Sequence, residues 1–339
     1  MKLERPFIIA EMSGNHNQSL ERALAIVDAA AAAGVDAVKI QTYTADTMTL
    51  DIAAGEFFIA DQESLWKGES LYNLYEKAHT PWEWHKPIFE RCKEHGILGF
   101  STPFDDTSVD FLEELDVPCY KIASFENVDL PLIRKVARTG KPMIASTGMT
   151  TVSELEDLVR AARENGCRDL TLLKCTSSYP ASAEGTNLRT IPHMRELFNC
   201  EVGLSDHTLG IGVAVASIAL GASVIEKHFT LSRADGGVDA AFSLEPDEMA
   251  QLVRECRAAA LAMGEVRYEM AEQEKKSLRF RRSLYIVEDM KAGDVITAEN
   301  MRRIRPGLGL SPKYYEVVLG RRVKCDVARG TPLSWDVLA

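Results

Sequence analysis

Residues 201–230 read EVGLSDHTLGIGVAVASIALGASVIEKHFT. An apolar, strand-like run over Glu201 to Asp206 gives way to polar residues at His207, and after a helical stretch a second run, Val224 to Thr230, does the same around His228. Strand, helix and strand within about 30 residues make one parallel βαβ step. Working outward, the same texture recurs at Phe7 to Met12, Ala37 to Thr42, Leu98 to Thr102, Cys119 to Ser124, Met143 to Thr147 and Leu170 to Cys175. Helical periodicity fills the gaps, as in Leu20 to Ala33 and Ser153 to Asn165. Eight strands and eight helices over residues 1–264 predict an α/β fold of the (β/α)8 TIM-barrel type. An open doubly wound sheet is the rival, but no G-x-G-x-x-G follows the first strand.

Two stretches do not fit the repeat. After Thr42 the chain runs to His79 before another helix, and Thr80-Pro81-Trp82-Glu83 offers a capping-box start for it. So long a loop on a barrel is either a lid or a surface excursion packed by its own aromatics. Beyond Gly264, residues 265–282 read as a charged helical linker, and 283–339 as a small β-rich domain. Within that domain Asp289 to Thr297 resembles Asp326 to Ser334. Each copy places a glycine at a turn, then an apolar residue, then a hydroxyl able to cap a short helix ending near Met301 or Leu338, which suggests pseudo-two-fold packing.

A formal charge of -11 disfavours nucleic acid and anionic membranes as partners, because both need excess Lys and Arg on the contact face. Met1 to Pro6 is charged and the apolar run that follows breaks at Glu11, unlike a signal peptide. The seven cysteines are widely spaced and form no CxxC, so a reducing cytoplasm is expected.

Polar side chains gather at the strand ends, where barrel enzymes keep their chemistry. The first strand offers Glu11, Asn15, His16 and Asn17; the second, Lys39 and Gln41; the third, Thr102; the fourth, Lys121, Ser124 and Glu126. Ser146 and Thr147 end the fifth, Ser177, Ser178 and Tyr179 follow the sixth, Ser205, Asp206 and His207 the seventh, and Lys227 and His228 the eighth. Two lysines among hydroxyls suit a phosphate group. A lone strand-end histidine is more often a hydrogen-bonded structural residue than a ligand, but two on adjacent strands point to a metal. With a carboxylate such as Glu11 and waters, they would leave positions open for polarising a carbonyl. Cys175 reads as packing, and a Schiff-base role for Lys39 or Lys121 is the rival chemistry.

The strings FIIAEMSGNHNQ, AVKIQTY, YKIASFE, KPMIASTGM, LLKCTSSYP, GLSDHTLG and IEKHFTL together resemble the sialic acid synthase family of nonulosonate synthases, and the tail resembles their antifreeze-protein-like (SAF) domain. SLYNLYEKAHTPWEWHKPIFE and GGVDAAFSLEP look most like the pseudaminic acid branch, ahead of the N-acetylneuraminate and legionaminate branches. The resemblance implies condensation of phosphoenolpyruvate with an open-chain amino-deoxy sugar. It implies His207 and His228 as ligands of a divalent metal, Mn2+ first, with Mg2+ or Co2+ as alternatives. Glu11, Glu126 and Asp239 become the candidate catalytic carboxylates. Lys39, Thr102, Lys121, Ser124, Ser146 and Ser205 fall at phosphoenolpyruvate-binding positions, and Ser177 stands where the family carries asparagine. Gln41, Tyr179 and Asp239 fall on the sugar side, with Phe242 and Ser243 as structural neighbours. Arg305 matches a tail-domain arginine that reaches into a partner's site, which implies a domain-swapped homodimer.

Overall fold

The computed structural model describes residues 5–62 and 64–339. Eight parallel strands, β1 (Phe7–Glu11), β2 (Ala37–Thr42), β3 (Leu98–Pro103), β4 (Tyr120–Ile122), β5 (Met143–Ser146), β6 (Leu170–Cys175), β7 (Glu201–Asp206) and β8 (Val224–His228), close into a barrel in chain order. The seam is β1 on β8, with Phe7 opposite Val224 and Glu11 opposite His228. Helices α1 (Leu20–Ala33), α2 (Ala45–Met48), α3 (Leu71–Ala78), α4 (His85–Glu94), α5 (Asp106–Glu114), α6 (Leu130–Arg138), α7 (Val152–Glu164), α8 (Thr190–Phe198), α9 (Gly212–Ala219) and α10 (Pro246–Met263) belong to the same unit. All but α2 and α3 follow one strand each and supply the outer layer of a TIM barrel. Local signals set their ends: Ser19 caps α1, Gly34 at φ 85° ends it, and Thr151 with Glu154 forms a capping box on α7.

The alternation of strand side chains builds the site. Ile9, Ala37, Phe100, Cys119, Ile144, Leu173 and Val224 point inward as an apolar plug. Two residues further along each strand, the same inward face carries Glu11, Lys39, Thr102, Lys121, Ser146, Cys175 and Glu226, all buried. A polar layer therefore rests directly on the plug, at the C-terminal rim.

The long segment after β2 carries the two short helices α2 and α3 and is packed in part by its own aromatics, with Tyr43 against Tyr75, as one of the two readings expected. Several local expectations are corrected. No capping box forms at Thr80; its hydroxyl lies 3.3 Å from His16 Nε2, and Pro81 leads into a 3-10 turn, Trp82–Trp84, with no side-chain cap. The helix there begins only at His85. In the tail, no helix ends at Met301: the segment after Thr297 is a turn, and Met301 opens a strand. Of residues 265–282, only Glu272–Phe280 is helical, as a 3-10 helix.

Contacts divide the chain after Gly264. The second unit, Glu265–Ala339, pairs β9 (Ser283–Ile286) antiparallel with β10 (Met301–Ile304) and has its own core, including Leu284, Ile296, Val323 and Leu333. Its two repeat copies embrace each other. Met290 and Val327, equivalent in the repeat, exchange backbone hydrogen bonds of 2.8 and 2.9 Å. Asp289 Oδ1 accepts from Arg329 N while Asp326 Oδ1 accepts from Ala292 N, and Gly293 and Gly330 share φ near 90°. Among the described residues no helix is long and apolar enough to cross a membrane.

Candidate active site

Glu226, absent from the residues singled out above, sits at the centre of the polar layer. Its carboxylate is 3.9 Å from Lys39 Nζ and 3.8 Å from Lys121 Nζ, and accepts from Ser205 Oγ at 3.2 Å. Burial opposes charge on it, but Lys121 and Lys39 hold the carboxyl below the usual carboxylate range. The one signal for it was parity: it lies two residues before His228 and must share its inward face.

Around Glu226 the expected groups converge. Lys39 is 2.7 Å from Glu11 and donates to Thr102 Oγ1 at 3.2 Å, while Gln41 Nε2 donates to Glu11 at 2.8 Å. Burial penalises the Lys39 ammonium, yet Glu11 and Glu226 outweigh it and keep the group charged. Lys121 donates to Ser146 Oγ at 2.6 Å, and there burial prevails and lowers the lysine's pKa. Glu126, just beyond β4, is largely buried, with one carboxylate oxygen unpartnered among the described residues. Burial pushes its pKa up to about 7 against the pull of Lys121. Beside these groups, Gly148 N donates to Ser124 Oγ at 3.1 Å, and a Cβ on Gly148 would collide with Ser124 Oγ and Ser177 Oγ. Glycine here lets two hydroxyls close on the backbone, as an anion cradle requires.

Above this cradle stand His207 and His228, ring centroids 5.3 Å apart. His207 Nδ1 is 3.0 Å from the Thr176 carbonyl oxygen. A carbonyl only accepts, so Nδ1 carries the proton and Nε2 keeps its lone pair. His228 Nδ1 is buried without a hydrogen-bond partner among the described residues, and lies 3.6 Å from Asp239 Oδ2. Burial, then the neighbouring His207, lowers the His228 pKa far enough to keep it neutral. Burial opposes charge on His207, but Cys175 and the Thr176 carbonyl raise its pKa above the usual imidazole value. Two imidazoles this close, on adjacent strands, are a donor pair a divalent cation takes once both are unprotonated. Among the described residues no group of three His, Cys, Asp or Glu is placed to hold a metal ion, so the two imidazoles would be its protein ligands.

Asp239 is held by the hydroxyl of Ser13, and Phe242 packs on His228 at 4.9 Å and on Tyr179 at 5.3 Å. Tyr179 in turn lies 4.5 Å from His207. Cys175 is buried as expected, with its Sγ 3.9 Å from both His207 Nδ1 and Ser177 Oγ.

Other strand-end residues stay out of the pocket. Asp206 and Lys227 pair with each other on the opposite face of β7 and β8. Asn15 donates to the Phe229 carbonyl and to Ser243, and Thr147 to the Leu173 carbonyl. His16, lowered by burial to about 4, packs edge-on against Trp84. Arg305 is exposed in the second unit, immediately after β10.

Residues 26–268 match the NeuB family and residues 281–339 match the SAF domain. The chain belongs to the NeuB family. This NeuB-family chain is 45% identical to the pseudaminic acid synthase of Campylobacter jejuni, over 98% of its own length and 96% of that protein's. It is 42% identical to the pseudaminic acid synthase of Helicobacter pylori, over 98% of both. Among solved structures, the N-acetylneuraminic acid synthetase of Leptospira borgpetersenii superimposes with a TM-score of 0.72 at 31% identity, covering 82% of this chain and 92% of that one. The family expected from the motifs is therefore the family found, and the chain is an enzyme of that family.

Proposed function

We propose that this NeuB-family enzyme is a pseudaminic acid synthase, joining phosphoenolpyruvate, 2,4-diacetamido-2,4,6-trideoxy-L-altrose and water to give pseudaminic acid and phosphate. One observation carries the chemistry: a pair of imidazole rings 5.3 Å apart stands one layer above a cradle of two lysines, hydroxyls and Glu226. The relatives' names carry the choice of sugar.

Lys39 and Lys121, with Thr102, Ser124, Ser146 and Ser205, hold the phosphate and carboxylate of phosphoenolpyruvate. Such binding acts on ground and transition state alike and sets KM more than kcat. His207 and His228 would hold a divalent metal, Mn2+ first, which when bound supplies a Lewis acid for the aldehyde oxygen. Asp239 and Gln41 orient the sugar beside them. As C3 of phosphoenolpyruvate forms its bond to the aldehyde carbon, the aldehyde oxygen takes up a proton and positive charge develops at C2. Glu126 or Glu11, ionised, stabilises that charge. Water adds at C2 and gives up one proton, replacing the one taken by the aldehyde oxygen. The C2–O bond to phosphate then breaks as the new C2 hydroxyl loses its proton to the leaving phosphate, which forms the 2-keto group, and phosphate departs on the lysines. Arg305 reaches the neighbouring subunit's site in a domain-swapped dimer.

The test supplies phosphoenolpyruvate with 6-deoxy diacetamido sugars and with N-acetylmannosamine, and follows phosphate release and product mass. The altrose derivative is expected to win on kcat/KM. Preference for another sugar would move the enzyme to a sister branch. Borohydride trapping of a pyruvate adduct on a lysine, without phosphate release, would overturn the mechanism.

A further inference from the structure

The long segment after β2 places one aromatic residue over the mouth of the site. Ile59 N donates to the Glu69 carbonyl, Gly68 N to the Ile59 carbonyl, and Phe58 bridges to Ser70, so residues 58–59 lie against residues 68–70. α3 behind this loop is tied to the barrel by Gln18, which donates to the carbonyls of Lys77 and His79. At the loop's far end Trp66 Nε1 donates to the Val238 carbonyl at 2.9 Å, one residue before Asp239. The Trp66 ring lies 6.1 Å from that of Tyr179. An aromatic wall thus runs from Trp66 through Tyr179 and Phe242 to the imidazole pair. On its other side Trp66 lines, with Leu65 and Val238, a cleft of about 570 Å³ that also carries the charged residues Lys67, Glu69 and Lys77.

We propose that Trp66 is the specificity-determining residue for the distal end of the sugar, selecting a 6-deoxy, N-acylated chain. The inference rests on the synthase reading above. The inner layer of the site, where phosphoenolpyruvate binds, is charged, and beyond it one side is aromatic, from the imidazole pair through Tyr179 and Phe242 to Trp66. An open-chain sugar with its aldehyde at His207 and His228 must extend along that outer wall. A terminal methyl and acetyl methyls bury apolar surface there, whereas a terminal hydroxyl would lose water without a partner on the rings. The indole N–H is already engaged by Val238, which leaves its faces as the recognition surface.

The experiment compares the wild-type enzyme with Trp66→Ala and Trp66→Phe on the 6-deoxy sugar and on its 6-hydroxy counterpart. For Trp66→Ala, KM for the 6-deoxy sugar is expected to rise about tenfold, and the 6-deoxy to 6-hydroxy ratio of kcat/KM to fall by a similar factor. KM for phosphoenolpyruvate should stay within about twofold, and Trp66→Phe should recover most of the preference. An unchanged ratio, or equal losses for both substrates, overturns the proposal. A second readout does not depend on turnover. The alditol of the 6-deoxy sugar should quench wild-type tryptophan fluorescence and leave Trp66→Phe unchanged. If the wild-type enzyme condenses none of the sugars, the synthase reading fails; if the alditol produces no Trp66-dependent quench, the Trp66 inference fails, whatever the turnover assay gives.

Discussion

Asp206 and Lys227 are register partners across β7 and β8 and close a buried ion pair of 2.8 Å, while their predecessors Ser205 and Glu226, partners in the same register, bond to each other on the inward face. Adjacent residues of two strands thus belong to two different structures. Lys227 also donates to the Thr208 carbonyl at 2.5 Å, and Asp206 accepts from Thr208 N and Oγ1, so the outer pair pins the loop that follows His207.

The two layers predict opposite phenotypes. Lys227→Met leaves Asp206 buried without its counter-charge, and unfolding should become easier by about 3–5 kcal/mol. Glu226→Gln keeps size and the hydrogen bond from Ser205 but removes the charge between two lysines. Lys39 keeps Glu11 as its counter-charge and Lys121, its pKa already lowered by burial, can release its proton, so the melting temperature should fall far less than in Lys227→Met while kcat falls about 100-fold or more. Thermal melts and steady-state kinetics on both variants decide the matter; a stable, active Lys227→Met would contradict the structural role.

His207→Ala and His228→Ala should each lower turnover by about 10³-fold with little loss of phosphoenolpyruvate binding, since the lysines are untouched. A chelator should silence the wild-type enzyme, and added Mn2+ should restore it. Full activity after chelation and dialysis would rule out the metal.

Glu126 gives the pH dependence. Its carboxyl is raised from 4.5 to about 7 by burial. Because the folded value is the higher one, its favourable contribution is complete below the unfolded value and is lost as pH climbs through about 7. Above that, burying the ion costs roughly 3 kcal/mol relative to a neutral residue. Glu126→Gln should therefore gain stability over wild type at pH 8 but not at pH 4. If the ionised form stabilises the developing cation, kcat/KM rises through about pH 7 in the wild type and the rise disappears in Glu126→Gln. A rise that survives the substitution belongs to another group.

Arg305 tests subunit sharing. Arg305→Ala and His207→Ala, each poorly active alone, should regain about a quarter of the wild-type activity when unfolded together and refolded as mixed dimers. The absence of any recovery would restrict Arg305 to its own chain.

Much of this was legible along the chain. Strand and helix periods gave the barrel, because a two-residue alternation and a 3.6-residue stripe each require a neighbour on a known side. Glycine, aspartate and apolar positions in the tail repeat gave its internal symmetry, realised in the reciprocal bonds of Asp289 and Asp326. Thr80 shows the limit of local signals. Its hydroxyl was expected to cap a helix but pairs with the buried imidazole of His16, and the helix begins only at His85.

By itself, the sequence determined which residues could share a face: Glu11, Lys39, Lys121 and His228 are inward-facing by strand parity, and the family follows from their motifs. Only the tertiary structure decided which of these meet. Barrel closure brings Glu226 of the last strand within 4 Å of lysines on the second and fourth, and it turns Asp206 and Lys227 away from the pocket. It also carries Trp66 across to Val238, 172 residues along the chain. The reason is physical: alternation is a property of a single strand, whereas a carboxylate between two ammonium groups exists only once non-neighbouring strands face one another across a closed interior.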